Sequence, residues 1–307
     1  MRSHSKLAHL QQFTTLIVAA CALAWLAWQW PHAPLGASVG FVLIVMGYSV
    51  FLAIEFLALR FVDTQGAVPR PSWGELARAW LGETAAAAVV FGWRQPFRWR
   101  EIPDRLETGP SLSPRRGVVF IHGFVCNRGF WTPWLREMRR LDHPFIAVNL
   151  EPVFGSIDEY AAIIDEAVER ITRGTGIAPV LVCHSMGGLA ARAWLQAKSA
   201  DARVHHVITI GSPHHGTWLG RFSRVANGRQ MRLDSGWLRR LGEPGAIHKF
   251  TCWYSNCDNI VFPAATATLV GADNRLEVGA AHVELAFRPR VMAESLAFIA
   301  GEGPRPG

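Results

Sequence analysis

The sequence predicts an α/β fold, a mainly parallel sheet with helices on both faces, preceded by an N-terminal two-helix transmembrane hairpin. Three observations carry this. From Gly117 onward, short apolar runs alternate with amphipathic helical patterns, the signature of strand-helix-strand units. The first sixty residues hold two long apolar runs, Phe13 to Trp30 and Val39 to Leu59, and each reaches the roughly 20 residues (range about 17 to 25) that cross a bilayer core. At 307 residues, 50% of them apolar, the chain also has the material for a large core.

The two apolar runs are separated by Pro31, His32, Ala33, Pro34 and a short approach containing glycine. Trp25, Trp28 and Trp30 crowd the end of the first run, as interfacial aromatics do. A cleaved signal is the competing reading, because Arg2 and Lys6 precede the run and Val18-Ala19-Ala20-Cys21 resembles a lipoprotein cleavage box. The continuation ALAWLAWQW after Cys21 argues against it, since a mature lipoprotein turns polar there. Glu55, the one acid of the second run, sits about one turn from Arg60 and reads as a residue near the membrane edge. Arg2 and Lys6 before the hairpin and Arg60, Arg70 and Arg78 after it, with no Lys or Arg in the turn, predict cytoplasmic termini. The expected setting is a multi-pass protein of a bacterial inner membrane with its catalytic domain in the cytoplasm.

Ser72-Trp73-Gly74-Glu75 has the spacing of a capping box, and Leu76, Trp80 and Leu81 recur at helical spacing behind it. This segment predicts a helix lying on the membrane or on the following domain. Pro103, Gly109, Pro110 and Pro114 mark a boundary. Val118 to Ile121 then reads as a strand, Thr132-Pro133 opens a helix through Leu141, and Phe145 to Val148 is the next strand. After a second capping box, Ser156 to Glu159, Ile163, Ile164, Ala167, Val168 and Ile171 form one helical face. Val180 to Val182, Met186 to Lys198, Val204 to Ile210 and Lys249 to Tyr254 continue the alternation, and Leu276 to Val278 is expected as the last strand. The division is therefore 1–62 hairpin, 63–114 connecting region, 115–301 catalytic domain with a lid-like insertion at 216–250, and 302–307 tail.

The net charge of +7 comes without a dense basic block, so nucleic acid is not an expected partner. Trp93 to Arg100 instead interleaves arginines with aromatics, which suits an anionic lipid surface. Five cysteines contain no C-x-x-C pair, and the Cys252 to Cys257 spacing does not by itself demand a disulfide.

In a parallel sheet of this kind ligands sit beyond the carboxyl ends of the strands. Four places qualify. Cys183-His184-Ser185-Met186-Gly187-Gly188 wedges a serine between a strand and a small-residue helix, the setting of a nucleophile elbow, with Cys183 where G-x-S-x-G has its first glycine. Ser185 is the expected nucleophile and Cys183 a substitution of size. In His122-Gly123-Phe124 the amide of Phe124, with that of Met186, is the expected oxyanion hole, while His122 orders the turn. Asp258 follows the Lys249 to Tyr254 strand and is the expected acid, ahead of Asp273 and Asp234. His282, after the final strand, is the expected base. His214 and His215 compete for that role but precede the acid, and they lack further ligands at metal-site spacing. No metal and no cofactor is expected.

These segments, with Ser212-Pro213-His214-His215-Gly216-Thr217 and Gly279 to Leu285, resemble the bacterial triacylglycerol lipase and GPI-inositol deacylase-like branch of the α/β-hydrolase fold, over roughly Arg115 to Ala300. The resemblance implies hydrolysis of carboxylic esters of acyl lipids through Ser185, Asp258 and His282. A thioesterase or acyltransferase with the same triad, and a non-catalytic membrane or transport-associated protein that kept the fold, are the alternatives. Met231, Leu233, Trp237, Leu238 and Leu241 recur at near-helical spacing in the insertion, as a lid or acyl pocket would, or as an ordinary packing helix.

Overall fold

The computed structural model describes residues 5–62, 68–106 and 115–301. Arg2, the Gly109, Pro110 and Pro114 boundary and the 302–307 tail lie outside the described residues.

The chain opens with α1 (Lys6–Gln29), started by Ser5, whose hydroxyl accepts from the Ala8 amide at 3.2 Å. Pro34 at its first turn starts α2 (Pro34–Met46), and α3 (Tyr48–Phe61) follows after Gly47. Among the described residues α1 alone is long and apolar enough to cross a membrane by itself, while α2 and α3 pass together as a pair bent by 55°. The second apolar run is thus not one straight helix. Its second half is drawn down onto α4 (Trp73–Val89), where the Tyr48 hydroxyl donates to the Thr84 carbonyl at 2.7 Å and the Trp80 indole donates to the Ser49 carbonyl at 2.8 Å. One face of α3 packs Phe56 and Leu59 on Leu76, Ala79 and Phe262, and the other leaves Val50, Phe51 and Ile54 exposed. Glu55 lies on the packed face and is only 5% exposed.

The expected capping box is present: Glu75 N–H donates to Ser72 Oγ at 3.2 Å and Ser72 N–H to Glu75 Oε2 at 2.8 Å. The buried stripe of α4, Leu76, Ala79, Glu83 and Ala87, lies against the domain that follows. A π-helical turn, Val90–Arg94, and the short α5 (Gln95–Phe97) complete this region.

The domain is built on β1 (Val118–Ile121), β2 (Phe145–Ala147), β3 (Val180–His184), β4 (His206–Ile210), β5 (Phe250–Tyr254) and β6 (Asp273–Leu276). They form one sheet in the order β2-β1-β3-β4-β5-β6, every pair parallel. Side chains alternate across it, as the two-residue period of a strand requires. Leu181 and Cys183 of β3 enter one core with α7 (Ala161–Thr175) and α8 (Met186–Lys198). Val180 and Val182 enter the opposite core with α6 (Thr132–Arg140) and α12 (Pro289–Ala300). The second capping box opens a 3₁₀ turn, Ile157–Tyr160, that leads into α7.

One local reading shifts. The last strand is Asp273–Leu276 rather than Leu276 to Val278, because its register is set by pairing with Thr251 to Tyr254 of β5. It is an edge strand with a polar, half-buried sequence, so an apolar run does not mark it. The 216–250 segment holds a 3₁₀ turn (Trp218–Phe222) and two short helices, α9 (Ala226–Gln230) and α10 (Gly236–Leu241). Met231, Trp237, Leu238 and Leu241 are buried in the core shared with α7 and α8, and Leu233 is exposed. The four-residue α11 (His282–Leu285) precedes α12.

Leu189 of α8 is fully buried beneath the sheet. Leu189→Ala is expected to cost about 2 to 5 kcal/mol, the range for a core leucine that leaves a cavity. The shift of a denaturant unfolding midpoint checks it, and a change under 1 kcal/mol, roughly the size of an ordinary surface substitution, would contradict this placement.

Candidate active site

Ser185 joins β3 to α8 with φ 54° and ψ −129°, a conformation that an L-residue adopts at an energetic cost of about 1 to 3 kcal/mol. Its amide donates to the Ile210 carbonyl of β4 at 2.9 Å, which locks the turn to the neighbouring strand. Met186 is the first residue of α8, so its N–H is one of the amides that a helix leaves without an internal acceptor. Gly123, in the loop after β1, comes so close that an added Cβ would sit 2.7 Å from Ser185 Cβ. The Gly123–Phe124 backbone therefore runs beside the serine, and only glycine permits that approach. Cys183 is fully buried in the core beneath the elbow, and burial pushes its thiol well up from the usual range.

Asp258 and His282 meet at the same end of the sheet. The Asp258 Oδ2 to His282 Nδ1 distance is 2.9 Å, with both side chains buried. Asp258 Oδ1 accepts from the amides of Ile260 at 2.9 Å and Val261 at 2.7 Å, so the carboxylate is fixed by the turn that follows it. A proton on Nδ1 donated to Asp258 leaves Nε2 as the free acceptor of the ring. Gly211, the residue after β4, has φ 57°, and a Cβ there would lie 3.0 Å from Asp258 Oδ2 and 3.2 Å from His282 Nδ1.

His184, next to the serine, links the two halves. Its Nε2–H donates to the His282 carbonyl at 3.1 Å, its ring lies 4.7 Å from that of His282, and it stacks on Phe130 at 4.3 Å. Burial and the neighbouring His282 hold it well below the usual histidine range, so it stays a neutral donor. Asn259 Oδ1 accepts from the His282 amide at 3.2 Å. Neither residue was singled out from sequence, although Asn259 directly follows the candidate acid.

The competing residues lie elsewhere. Asp273 pairs with Arg275 at 2.6 Å, and Asp234 occupies a turn with φ 53°. His214 is buried against Thr209 Oγ1 at 3.0 Å and beside Arg192, while His215 faces Glu243 at 3.8 Å. His122 spans two loops: its Nδ1–H donates to the Gly123 carbonyl at 2.9 Å and its Nε2 accepts from the Leu150 amide at 3.0 Å. Burial lowers it to about 4, so it too is neutral. Cys252 and Cys257 are free and sit in separate clusters, the first beside His214 and the second among Phe56, Leu59 and Phe262. Among the described residues no group of three or more His, Cys, Asp or Glu is placed to hold a metal ion.

Burial pulls the His282 pKa down, but Asp258, by charge and hydrogen bond, and then Glu83 and Glu55 pull it further up, and the net position is above 6.5. With His282 in the role of base, only the neutral ring accepts a proton, so activity is expected to fall as pH falls through that value. The pH profile of kcat/KM is expected to show an acid limb with an apparent pKa above 6.5, and a limb well below it would contradict the role of these carboxylates.

Residues 118–300 match the model of the alpha/beta hydrolase family. No curated protein matches the chain in sequence. Among solved structures, Aspergillus fumigatus lipase B is similar in fold with a TM-score of 0.54 at 16% identity, covering 68% of this chain and 58% of that one. The mature form of the Bacillus licheniformis lipase BlEst2 has a TM-score of 0.51 at 15% identity, covering 62% of this chain and 92% of that one. The chain thus spans 58% of the length of the Aspergillus lipase. A sheet of parallel strands, a strained serine on the strand-to-helix turn and a family match over residues 118–300 agree, and the chain belongs to the alpha/beta hydrolase family.

Proposed function

We propose that the protein is a membrane-anchored serine hydrolase that cleaves carboxylic esters of acyl lipids through an acyl-enzyme. The observation that carries this is the buried Asp258 to His282 hydrogen bond of 2.9 Å, together with Ser185 held at φ 54° one residue after His184, whose ring lies 4.7 Å from that of His282. A domain that had abandoned chemistry has no use for that strain, which weighs against a non-catalytic role. The shared fold with two lipases supports ester chemistry in the same direction.

In the proposed reaction Ser185 Oγ attacks the acyl carbon while His282 Nε2 takes its proton. Asp258 stabilises the imidazolium and holds its tautomer. Charge on the carbonyl oxygen is met by the amides of Phe124 and Met186, fixed donors whose loss in a comparable site costs about 3 to 4 kcal/mol. The tetrahedral intermediate collapses, the carbon–oxygen bond to the alcohol breaks, and the imidazolium returns the proton to the leaving alkoxide. Water then repeats the sequence on the acyl-enzyme and releases the acid. Phe124 packs edge-to-face with Phe154 at 5.8 Å, and Phe154 is exposed, an apolar wall beside the oxyanion loop that suits an acyl chain. The 216–250 segment is proposed as a surface insertion whose core-facing side is fixed, so any lid movement is confined to its outward residues.

Membrane anchoring rests on α1 and on the exposed apolar faces of α2 and α3, among them Phe13, Leu16, Leu43 and Phe51. Both ends of this hairpin touch the hydrolase domain. The Lys6 amide donates to Glu151 at 2.8 Å and Glu55 accepts from Asn259 at 2.7 Å, which supports placing both ends on the domain's side of the membrane.

Ser185→Ala is expected to abolish ester hydrolysis and fluorophosphonate labelling with the fold intact, and wild-type turnover in that variant would sink the assignment. Asp258→Asn is expected to lower kcat by about 10⁴, as loss of the orienting carboxylate does in a serine protease. A long-to-short ester and thioester series separates lipid ester cleavage from thioesterase or acyl-transfer chemistry. For topology, a green fluorescent reporter fused after Gly307 is expected to fluoresce, and an alkaline phosphatase fusion at the same point to stay inactive. Strong phosphatase activity would reverse the orientation.

A further inference from the structure

The His282 segment has an unusual supply of hydrogen bonds. Its four-residue helix, His282–Leu285, follows Ala281, a residue without a side chain that can cap, and Glu284 takes only the Ala281 amide. The amides that a helix start exposes are instead served from outside. Asn259 Oδ1 takes the His282 amide at 3.2 Å. Glu83 of α4 takes the Val283 amide on both oxygens at 3.0 Å and the Glu284 amide at 3.1 Å. Asn259 is in turn held by Glu55 of α3, whose Oε2 accepts from Asn259 Nδ2 at 2.7 Å. Glu83 is 2% exposed, Glu55 is 5% exposed and Asn259 is fully buried. Among the described residues no Lys or Arg forms an ion pair with either glutamate. A carboxylate buried without a cation is costly, so two of them around one histidine call for a use.

We infer that Glu83 and Glu55 are positioning residues for His282, through which α3 and α4 form part of the active site instead of serving only as tether and spacer. This rests on the hydrolase reading above. The two carboxylates fix the backbone of the base, and their charge favours the imidazolium that forms when Ser185 gives up its proton. The groups facing His282 are Asp258 from the loop after β5, Glu83 from α4, Glu55 from α3 and His184 from the end of β3. The three carboxylates favour the charged ring, whereas His184 disfavours it. Burial raises the Glu83 carboxyl to about 7, with His282 and the two amides pulling it back, so its charge and that of His282 are linked near neutral pH. Since α3 also turns Val50, Phe51 and Ile54 outward, the element that would meet lipid is one residue, Asn259, away from the catalytic base.

The test uses the full chain in detergent micelles, a soluble p-nitrophenyl ester and four variants: Glu83→Gln, Glu55→Gln, Glu83→Ala and Ser185→Ala. Glu83→Gln keeps an accepting oxygen and removes the charge. It is expected to keep the wild-type melting temperature, to leave KM within about twofold, and to lower the acid-limb pKa of kcat/KM by about one unit, the low end for a nearby opposite charge. Glu55→Gln is expected to move the limb in the same direction by less, because Asn259 stands between. Glu83→Ala is expected to reduce kcat by about tenfold or more, with partial recovery in Glu83→Gln. A role confined to packing would change melting without moving the limb. If Glu83→Gln does not fold, the Glu55→Gln profile decides. Unmoved acid limbs with wild-type kcat in the folded glutamine variants overturn the inference. Ser185→Ala run alongside separates the two readings: turnover in that variant removes the hydrolase assignment itself, whereas its inactivity beside unmoved limbs removes only the roles of Glu83 and Glu55.

Discussion

The hydrogen bond between Asp258 and His282 is the contact that the rest of the site is built to hold. Both side chains are buried, and a buried carboxylate persists only if its oxygens are accounted for. One oxygen of Asp258 takes the ring and the other takes two amides of its own turn, so both oxygens are hydrogen-bonded. The imidazole can then present only Nε2 outward. His184 donates to the His282 carbonyl while Asn259 accepts from its amide, and Gly211 leaves the space in which Asp258 and His282 meet.

The strain at Ser185 follows from the same economy of space. A strand that ends under the Gly123 loop and continues at once into a helix must reverse within one residue, and φ 54° is the outcome. Pairing of β3 with β1 and β4 overdetermines that conformation, because the Ser185 amide is tied to Ile210 and the loop of Gly123 closes from the other side. Cys183 stands where the G-x-S-x-G pattern has its first glycine, and its side chain is buried in the α7 and α8 core, where a small apolar group fills volume.

The N-terminal helices are joined to this site by polar contacts as well as by packing. The apolar cluster of Phe56, Leu59, Leu76, Ala79 and Phe262 draws its residues from α3, α4 and the loop that carries Asp258. Within that cluster the glutamates sit where apolar residues would pack more cheaply. Where α3 leaves the line of α2 at Gly47, Tyr48 donates to Thr84 and Trp80 donates to Ser49, and Glu55 further along α3 accepts from Asn259.

Much of the fold was legible in the residues because the signals are local. Apolar runs of strand length, the helical periodicity of Ile164, Ala167, Val168 and Ile171, and the capping box at Ser72 each depend on neighbours within one or two turns. The order Ser185, Asp258, His282 along the chain, each after a strand end, was enough to nominate the site, since a parallel sheet brings its strand ends to one edge. Three things were decided only by tertiary structure. The last strand, polar and at the sheet edge, takes its limits from pairing with β5 rather than from its own composition. Met231, Trp237, Leu238 and Leu241 of the 216–250 segment pack on the apolar surface of α7 and α8, while Leu233 and Phe222 stay exposed. Glu83 reads in isolation as one polar residue among Leu76, Ala79 and Ala87 on a helical face, and its partner is the amide of Val283, 200 residues away. Periodicity reports which face of a helix is buried, but the hydrogen bond that a buried carboxylate finds there depends on which distant backbone the packing brings within 3.0 Å.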